Sequence, residues 1–346
     1  MPIFSYLWIY LSKIRKTMRI FKIICVAAAA LALLSACRDG KTDERIFTIQ
    51  NENGMKATFC TTGGRLLRLE VPARDGSMKN VVWGCADADA CAVDKDYRQC
   101  IVGRYGNRIA GGRFELGGFT YQLSQNEGNN HLHGGKTGFG QREWILQPLS
   151  DCSLLMTYLS PDGEEGYPGN LDISVICTLT DKNELVLQYA AVTDAPTILN
   201  PTLHAWFNLH GDGEGLTTTH ILKINADWYT PVNEELIPTG EIAPVDSTAF
   251  DFREGKPVTP EFDHNFVLRG APGEPALELY EPSTGILLRV YTDQPGLQLY
   301  SGRPDCGVVL ETQNFPDAPN HPNFPDAVLG PGENYVQNTI YRFEIL

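Results

Sequence analysis

The chain has 346 residues, of which 42% are hydrophobic and 20% are charged, and this composition excludes disorder along the whole chain. Its formal net charge of −14 argues against a nucleic-acid-binding protein, because phosphates require a basic face. The 33 Gly and 22 Pro, together with 14 Tyr and 15 Phe, favour many short strands joined by tight turns.

Residues 1–36 are predicted to be a signal peptide. Basic residues precede an uncharged run over residues 23–34, which is shorter than the roughly 20 residues that a membrane-spanning helix needs. The four residues ending at Cys37 resemble a bacterial lipoprotein signal. That resemblance implies cleavage before Cys37, lipidation of Cys37 and an exported protein anchored to a membrane, in the periplasm or at the cell surface. Residues 1–17 are not needed for such a signal, so translation is expected to begin at Met18.

Residues 37–45 then form a short polar tether that carries the lipid. Loss of five basic residues with the signal leaves 23 basic against 42 acidic residues, a net charge of −19 that does not hinder a neutral ligand. Seven cysteines remain after Cys37, and none of them has zinc-type pair spacing. Most of them are expected to be buried apolar side chains, although an exported protein could form a disulfide among them.

From residue 46 to the C-terminus the sequence predicts strands and one short helix within residues 86–100. Gly117 and Gly118 separate two apolar stretches and predict a two-residue hairpin loop. Apolar residues alternate over residues 171–179, 185–191 and 339–345, which indicates half-buried strands. Since no linker or internal repeat interrupts this region, we expect one all-β domain over residues 46–346, a large antiparallel β-sandwich.

Six segments keep polar residues where packing alone does not require them. They are residues 103–109, 130–135, 201–209, 262–266, 297–302 and 309–317. In this order and spacing they resemble the galactose mutarotase (aldose 1-epimerase) family over about residues 47–346, and they end in the run Glu-Thr-Gln-Asn-Phe-Pro-Asp that begins at Glu311. The resemblance implies the galactose mutarotase-like supersandwich and an enzyme that interconverts the α and β anomers of free aldohexoses such as galactose and glucose.

The chemistry of this reaction needs one base and one acid. A pyranose changes anomer when a base takes the proton of the C1 hydroxyl and an acid protonates the ring oxygen, after which the ring recloses on the other face of the aldehyde. This mechanism requires no cofactor and no metal. Acidic turns such as residues 87–89 leave calcium open as an additional ligand, although no loop has the spacing of a known calcium motif.

The resemblance assigns Glu311 as the base and His204 as the acid. Glu311 follows three apolar residues, so partial burial is expected to raise its pKa toward that of a useful base. The resemblance also implies a set of residues that hold the sugar hydroxyls, and Trp206 is expected to form an aromatic wall. The hydroxyl-binding set is Asn107, Arg108, His133, Asp263 and Gln298. His131 lies two residues from His133 and competes with it for this role.

Three alternatives to a hexose mutarotase remain open from the residues. The first is a mutarotase for a different aldose, such as a pentose or a phosphorylated sugar, and the negative charge disfavours the phosphorylated one. The second is a sugar-binding lipoprotein without turnover. The third is a glycosidase that uses Glu311 and Asp263 as its two carboxyl groups, which leaves His204 without a role. The expected partner is a small-molecule monosaccharide, and the expected oligomeric state is a monomer.

Overall fold

The computed structural model describes residues 43–271 and 273–346. The predicted signal peptide, the start at Met18 and the lipidation site Cys37 therefore lie outside the described residues. Within the described residues, no helix is both long enough and apolar enough to cross a membrane.

Short β-strands dominate the described chain. The first half holds β1 (Ile46–Gln50), β2 (Lys56–Cys60), β3 (Arg65–Pro72), β4 (Met78–Asn80), β5 (Ile101–Val102), β6 (Arg108–Ile109), β7 (Arg113–Leu116), β8 (Phe119–Gln122), β9 (His131–Leu132), β10 (Ile145–Ser150), β11 (Ser153–Ser160), β12 (Leu171–Thr180) and β13 (Glu184–Thr193). The second half holds β14 (Thr197–Ile198), β15 (Thr202–Leu203), β16 (Trp206–Phe207), β17 (Ile221–Ile224), β18 (Ala226–Thr230), β19 (Ala243–Pro244), β20 (Lys256–Pro257), β21 (Asp263–Leu268), β22 (Leu277–Tyr280), β23 (Ile286–Thr292), β24 (Gly296–Tyr300), β25 (Val308–Gln313), β26 (Val328–Leu329) and β27 (Tyr335–Ile345).

Helices are few and short in the described chain. The helix α1 (Ala88–Ala92) makes little more than one turn, and it begins where the Asp87 side chain accepts a hydrogen bond from the Ala90 amide at 2.8 Å. Asp89 pairs with Arg45 at 2.8 Å, so both carboxylates of this acidic turn have partners within the protein. The 3₁₀ helices are Ala110–Gly112, Phe139–Gln141, Glu164–Gly166, Thr217–Thr219 and Ala318–Asn320.

Three sheets carry most of the strands, and all pairs between named strands are antiparallel. The first has the order β1-β2-β3-β4, the second β10-β11-β12-β13-β27-β23-β22-β17-β20, and the third β16-β25-β24-β21-β18-β19. Four two-stranded ladders, β5 with β15, β6 with β9, β7 with β8 and β14 with β26, complete the pairing. Residues 44–346 form one compact unit, and one hydrophobic core joins the inner faces of the three sheets. The predicted all-β sandwich is confirmed.

The alternation in the sequence corresponds to burial in the structure. Alternate residues of β12 from Leu171 to Leu179 lie in the core, and β13 repeats the pattern. On β27 the buried face ends at Phe343, so the prediction that Ile345 belongs to it is wrong, since Ile345 is 46% exposed. The hairpin at Gly117 and Gly118 is confirmed: both glycines have positive φ, as a type I′ turn requires.

The seven cysteines of the described chain are free thiols. Cys152 is partly exposed and the other six are buried, as expected of apolar core side chains. The buried ones are Cys60, Cys85, Cys91, Cys100, Cys177 and Cys306.

The two faces of the third sheet differ in character. Leu310 on β25 and Leu299 on β24 point into the hydrophobic core. Because successive side chains of a strand point to opposite faces, Glu311 and Gln298 lie on the other face of the same two strands. The rigid, half-apolar sheet therefore presents polar side chains on one face, and the loops around residues 97–108, 131–133 and 204 contribute the remaining groups.

Candidate active site

Three polar side chains of the predicted site lie on adjoining strands. Glu311 on β25 is directly opposite Gln298 on β24, and Asp263 is the first residue of β21, the next strand. The Gln298 Nε2 atom donates a hydrogen bond to Asp263 Oδ1 at 2.6 Å. Antiparallel register thus brings together residues that are separated by up to 48 positions in the sequence.

His204 lies in the connection between β15 and β16 and is fixed through its backbone. Its amide donates to the Cys100 carbonyl at 2.9 Å, and its carbonyl accepts from the Gln99 amide at 3.1 Å. The imidazole is buried, and its Nδ1 atom makes no hydrogen bond within the described residues. The ring position is therefore set by the main chain, while the ring nitrogens are left for other partners.

His133 is held by a reciprocal contact with Asn107. These residues flank the β6–β9 ladder, and both have positive φ, 62° for Asn107 and 49° for His133. The Asn107 amide donates to His133 Nδ1 at 3.1 Å, and the His133 amide donates to the Asn107 carbonyl at 3.0 Å. Because Nδ1 accepts, the neutral His133 ring carries its proton on Nε2. Asn107 thereby orients His133, and its own side-chain oxygen accepts from the Arg108 amide at 2.9 Å.

The predicted acid and base lie next to each other, and His133 is the third member of the cluster. One side-chain nitrogen or oxygen atom from each of His133, His204 and Glu311 lies within 4.8 Å of the others. The two imidazole rings are 5.0 Å apart and perpendicular. All three side chains are buried, so the cluster is shielded from bulk water.

Arg108 connects the cluster to a chain of charged groups. Its Nε and Nη2 atoms donate to the two carboxylate oxygens of Glu127 at 2.6 and 2.7 Å, and Nη1 lies 3.5 Å from Asp263 Oδ2. Such a bidentate pair fixes the plane of the guanidinium. Glu127 was missed at the sequence level, where only a turn-forming stretch precedes His131.

Burial sets the protonation of the cluster. It raises the pKa of Glu311 well above its ordinary value, with a further increase from the Asp263 charge and a decrease from Arg108. Burial lowers the pKa of His204 to about 4. It also lowers the pKa of His133 well below its ordinary value, with smaller contributions from His204 and Arg108. Both imidazoles are consequently neutral near pH 7. The shift of the Glu311 pKa has the direction that the sequence analysis predicted.

Several buried polar atoms of the site have no hydrogen-bond partner within the described residues. They are His204 Nδ1, Trp206 Nε1, Gln298 Oε1 and Glu311 Oε1. Buried polar groups are normally hydrogen-bonded, so such a group of donors and acceptors is suited to a polyhydroxylated ligand. Trp206 packs 5.9 Å from His204, between the rings of Trp83 and Tyr300, and can supply the aromatic wall.

His131, the competitor of His133, lies in a different environment. Its Nδ1 faces the Ser124 carbonyl at 2.7 Å, and its Nε2 faces the Tyr167 hydroxyl at 2.6 Å. A carbonyl only accepts, so Nδ1 carries the proton and Nε2 accepts from Tyr167. Both nitrogens are engaged inside the protein, which leaves His133 as the histidine of this segment that joins the cluster.

The chemistry of the donor sets opposes metal binding. His133, His204 and Glu311 resemble a zinc set by residue type. However, His133 Nδ1 already accepts from Asn107 and its Nε2 keeps the proton, so the neutral ring has no free lone pair for a cation. A second group, His210, His220 and Glu281, has the same restriction, because the Leu209 amide donates to His220 Nε2 at 2.8 Å.

Comparison with known proteins places this chain in a family. The family model described as Aldose 1-epimerase matches residues 45–342. The chain belongs to the aldose 1-epimerase family. The chain is 37% identical to the aldose 1-epimerase of Haemophilus influenzae, with 87% of this chain and 96% of that protein covered. It is 38% identical to the human galactose mutarotase, with 88% and 95% covered.

Solved structures agree with the sequence relatives. The GalM/aldose epimerase homologue from C. elegans superposes with a TM-score of 0.83 at 29% identity, and 87% of this chain and 99% of that chain are covered. The galactose 1-epimerase from Lactobacillus acidophilus superposes with a TM-score of 0.77 at 28% identity, and 89% of this chain and 98% of that chain are covered. The resemblance drawn from the six sequence segments is thereby confirmed. The roles of individual residues within the site stay predictions.

Proposed function

We propose that this protein is an isomerase that interconverts the α and β anomers of free aldohexoses, such as galactose and glucose, by opening and reclosing the sugar ring. The observation that carries the proposal is the convergence of a buried carboxyl group, Glu311, and a buried imidazole, His204, within 4.8 Å. Ring opening needs one group to accept the C1 hydroxyl proton and another to protonate the ring oxygen as the C1–O5 bond breaks. These two side chains can supply both functions.

The pKa shifts of the pair determine which of the two groups holds the proton. At pH values above the lowered pKa of His204 and below the raised pKa of Glu311, the two side chains together hold one proton. Ring opening starts from the less favoured arrangement, in which His204 holds that proton and Glu311 is ionised. In the assignment from the resemblance, Glu311 then receives the C1 hydroxyl proton while His204 protonates the ring oxygen. That step leaves Glu311 protonated and His204 neutral, which is the distribution that burial favours. Rotation about C1–C2 and the reverse transfers then close the ring on the other face of the aldehyde.

The remaining site residues are proposed to bind and orient the sugar. His133 Nε2–H is a neutral donor beside the reacting pair, and it can steady negative charge on the reacting oxygens without competing for the proton. Arg108 and Asp263 offer a donor and an acceptor at the rim, and Gln298 Oε1 accepts from a hydroxyl. Asn107 acts mainly through the orientation of His133. Trp206 is proposed to pack against the apolar face of the ring.

The test is the rate at which fresh α-glucose and α-galactose reach anomeric equilibrium, followed by polarimetry. We expect His204→Asn and Glu311→Gln each to lower the catalysed rate by about 10²- to 10⁴-fold, the usual value of one proton transfer, while sugar binding measured by calorimetry persists. His210→Gln, a histidine substitution outside the site, is the matched control. Wild-type rates in either site variant would remove that residue from its role.

The same assay separates the alternatives. Turnover of a pentose in preference to hexoses would identify a mutarotase for a different aldose. Sugar binding without acceleration by the wild-type protein would identify a binding protein. A glycosidase is disfavoured because Asp263 is already hydrogen-bonded to Gln298 and paired with Arg108, and because His204 would then have no function.

We further propose that the protein is exported as a monomer and anchored by lipid on Cys37. The signal-like sequence of residues 1–36 and the cysteine at its end support this location. Labelling of cells with a radioactive fatty acid should mark the wild-type protein and not Cys37→Ser. Light scattering of the purified protein should give the mass of one chain, and a dimer mass would contradict the proposed monomer.

A further inference from the structure

Tyr97 contacts both imidazoles of the site, although no sequence segment pointed to it. Its ring centroid lies 4.7 Å from that of His133 and 5.8 Å from that of His204, with interplanar angles of 56° and 44°. The two imidazoles themselves are 5.0 Å apart. Each of the three rings therefore contacts the other two. In a close-packed environment, rotation of either imidazole would produce a steric clash with the phenol ring.

The backbone around Tyr97 is held in a conformation that few residues adopt. Tyr97 has φ of 52° and Gln99 has φ of 58°, both in the left-handed region that side chains other than glycine avoid unless their surroundings fix them. The Cys100 amide donates to the Tyr97 carbonyl at 3.3 Å, and the Gln99 amide donates to the His204 carbonyl at 3.1 Å. Asn126 Nδ2 donates to the Tyr97 hydroxyl at 3.4 Å. The same turn is thus bonded to the His204 segment and to the loop that precedes His133.

Tyr97 also lines a surface groove of about 470 Å³. The other groove residues include the exposed Lys95, Gly128 and Lys136, as well as Asn126 and Gly135. Neither His133 nor His204 is among the residues that line it. Tyr97 is therefore shared by the groove and by the imidazole cluster, whereas the two imidazoles do not line the groove.

We propose that Tyr97 is a positioning residue of the reaction, whose ring fixes the relative orientation of His133 and His204 and closes their pocket against the groove. The proposal rests on the proposed function, because it assigns Tyr97 a role in the same proton transfers. Tyr97 does not touch the reacting atoms in this role. It acts by orienting the two imidazoles, and this effect comes from its aromatic ring rather than from its hydroxyl group.

Loss of the ring has a second consequence that can be measured without turnover. Burial is the largest cause of the lowered pKa values of both imidazoles. Replacing the ring with a small side chain admits water from the groove, and hydration raises the pKa of each histidine toward its ordinary value. The other titratable groups around His204, which the substitution leaves in place, are His133, Glu311, Arg65, Asp94 and Cys100.

The experiment compares Tyr97→Ala and Tyr97→Leu with Tyr97→Phe in the full-length protein. We expect the first two to lower kcat by about 10- to 100-fold, the effect of misplaced catalytic groups, with KM much less affected. Tyr97→Phe keeps the ring and should retain nearly wild-type kcat. NMR titration of the imidazole protons should show a raised pKa for His204 and His133 in the Ala and Leu variants, and unchanged values in the Phe variant.

Each outcome decides the proposal. If Tyr97→Ala does not fold, as judged by thermal unfolding, the larger Leu variant decides. Unchanged kcat and unchanged imidazole pKa values in a folded variant would overturn the role, and so would an equal loss in Tyr97→Phe, which would assign the effect to the hydroxyl. If the wild-type protein accelerates no aldose, the proposed function fails, and the NMR titration alone tests whether Tyr97 shields the imidazoles.

Discussion

Gln298 and Glu311 are directly opposite each other on neighbouring antiparallel strands, and the Gln298 side-chain amide donates a hydrogen bond to Asp263 at 2.6 Å. This bond fixes the Asp263 carboxylate through a neutral donor on the residue opposite Glu311. The negative charge of Asp263 adds to burial in raising the pKa of Glu311, while the positive charge of Arg108 opposes both with a smaller effect. Asp263, which lies two strands away on β21, thus adds to the effect of burial on the proton affinity of the proposed base.

The first prediction concerns this control of the Glu311 pKa. Asp263→Asn removes a like charge, so the pKa of Glu311 should fall, and the alkaline limb of the kcat profile should move to lower pH by on the order of one unit. Arg108→Gln removes the opposing charge and should move the same limb to higher pH. Polarimetric rates over a pH series would measure both. Shifts of the same sign in the two variants would contradict the electrostatic explanation.

The second prediction is the shape of the wild-type pH profile. Activity needs one proton on the His204–Glu311 pair, so it should be lost at low pH, where both groups are protonated, and at high pH, where both are deprotonated. The acid limb should fall at about pH 4, the lowered pKa of His204. The alkaline limb should lie well above the ordinary pKa of a glutamate. An acid limb near the ordinary histidine pKa of about 6.5 would show that the imidazole is hydrated in solution.

The third prediction separates the two histidines of one segment. His131→Gln should chiefly lower stability, because it disturbs two buried hydrogen bonds, each worth about 1 kcal/mol, with the Ser124 carbonyl and the Tyr167 hydroxyl. His133→Gln should chiefly lower kcat. Thermal unfolding and polarimetry on both variants would measure the split. A large loss of kcat with unchanged stability in His131→Gln would contradict it.

The His131 variant also has a pH signature with a definite sign. Burial lowers the pKa of His131 to about 4, below the ordinary value of 6.5, so the unfolded chain binds a proton that the folded chain does not between these values. The contribution of His131 to folding stability is therefore fully present above pH 6.5 and decreases as the pH falls toward 4. The stability difference between the wild type and His131→Gln should shrink in that window. A difference that is constant with pH would exclude a neutral buried His131.

The fourth prediction concerns metals. Since His133 offers no free lone pair while it is bonded to Asn107, chelators such as EDTA and phenanthroline should leave the anomerisation rate unchanged. Calcium should also have no effect, because the two carboxylates of the acidic turn at residues 87–89 already have partners. Rates would be compared in the same protein before and after chelation. A loss of activity that added zinc or calcium restores would overturn this conclusion.

The sequence alone was sufficient for the strand pattern and the family. Alternation over residues 171–179 marks a buried strand because side chains of a strand point to two faces, and a two-residue Gly-Gly loop has few structures other than a hairpin available to it. The six ordered segments identified the family because each contains polar residues at positions where core packing does not require them. These features depend on residues that are close together in the sequence, so they can be recognised without the tertiary structure.

The tertiary structure decided which of these residues act together. The register of β24 and β25 sets Gln298 opposite Glu311, and the Asn107 amide fixes the tautomer of His133, neither of which has a sequence signature. Tyr97 and Glu127 join the site from turns whose sequences carry no recognisable pattern. Burial, which sets the pKa of His204 and Glu311, depends on atoms contributed by the whole chain. The sequence determines which residue types are present and how each short segment folds. The distances between the site residues, the tautomer of His133 and the pKa values of His204 and Glu311 depend on distant segments that fold together and exclude water from the site.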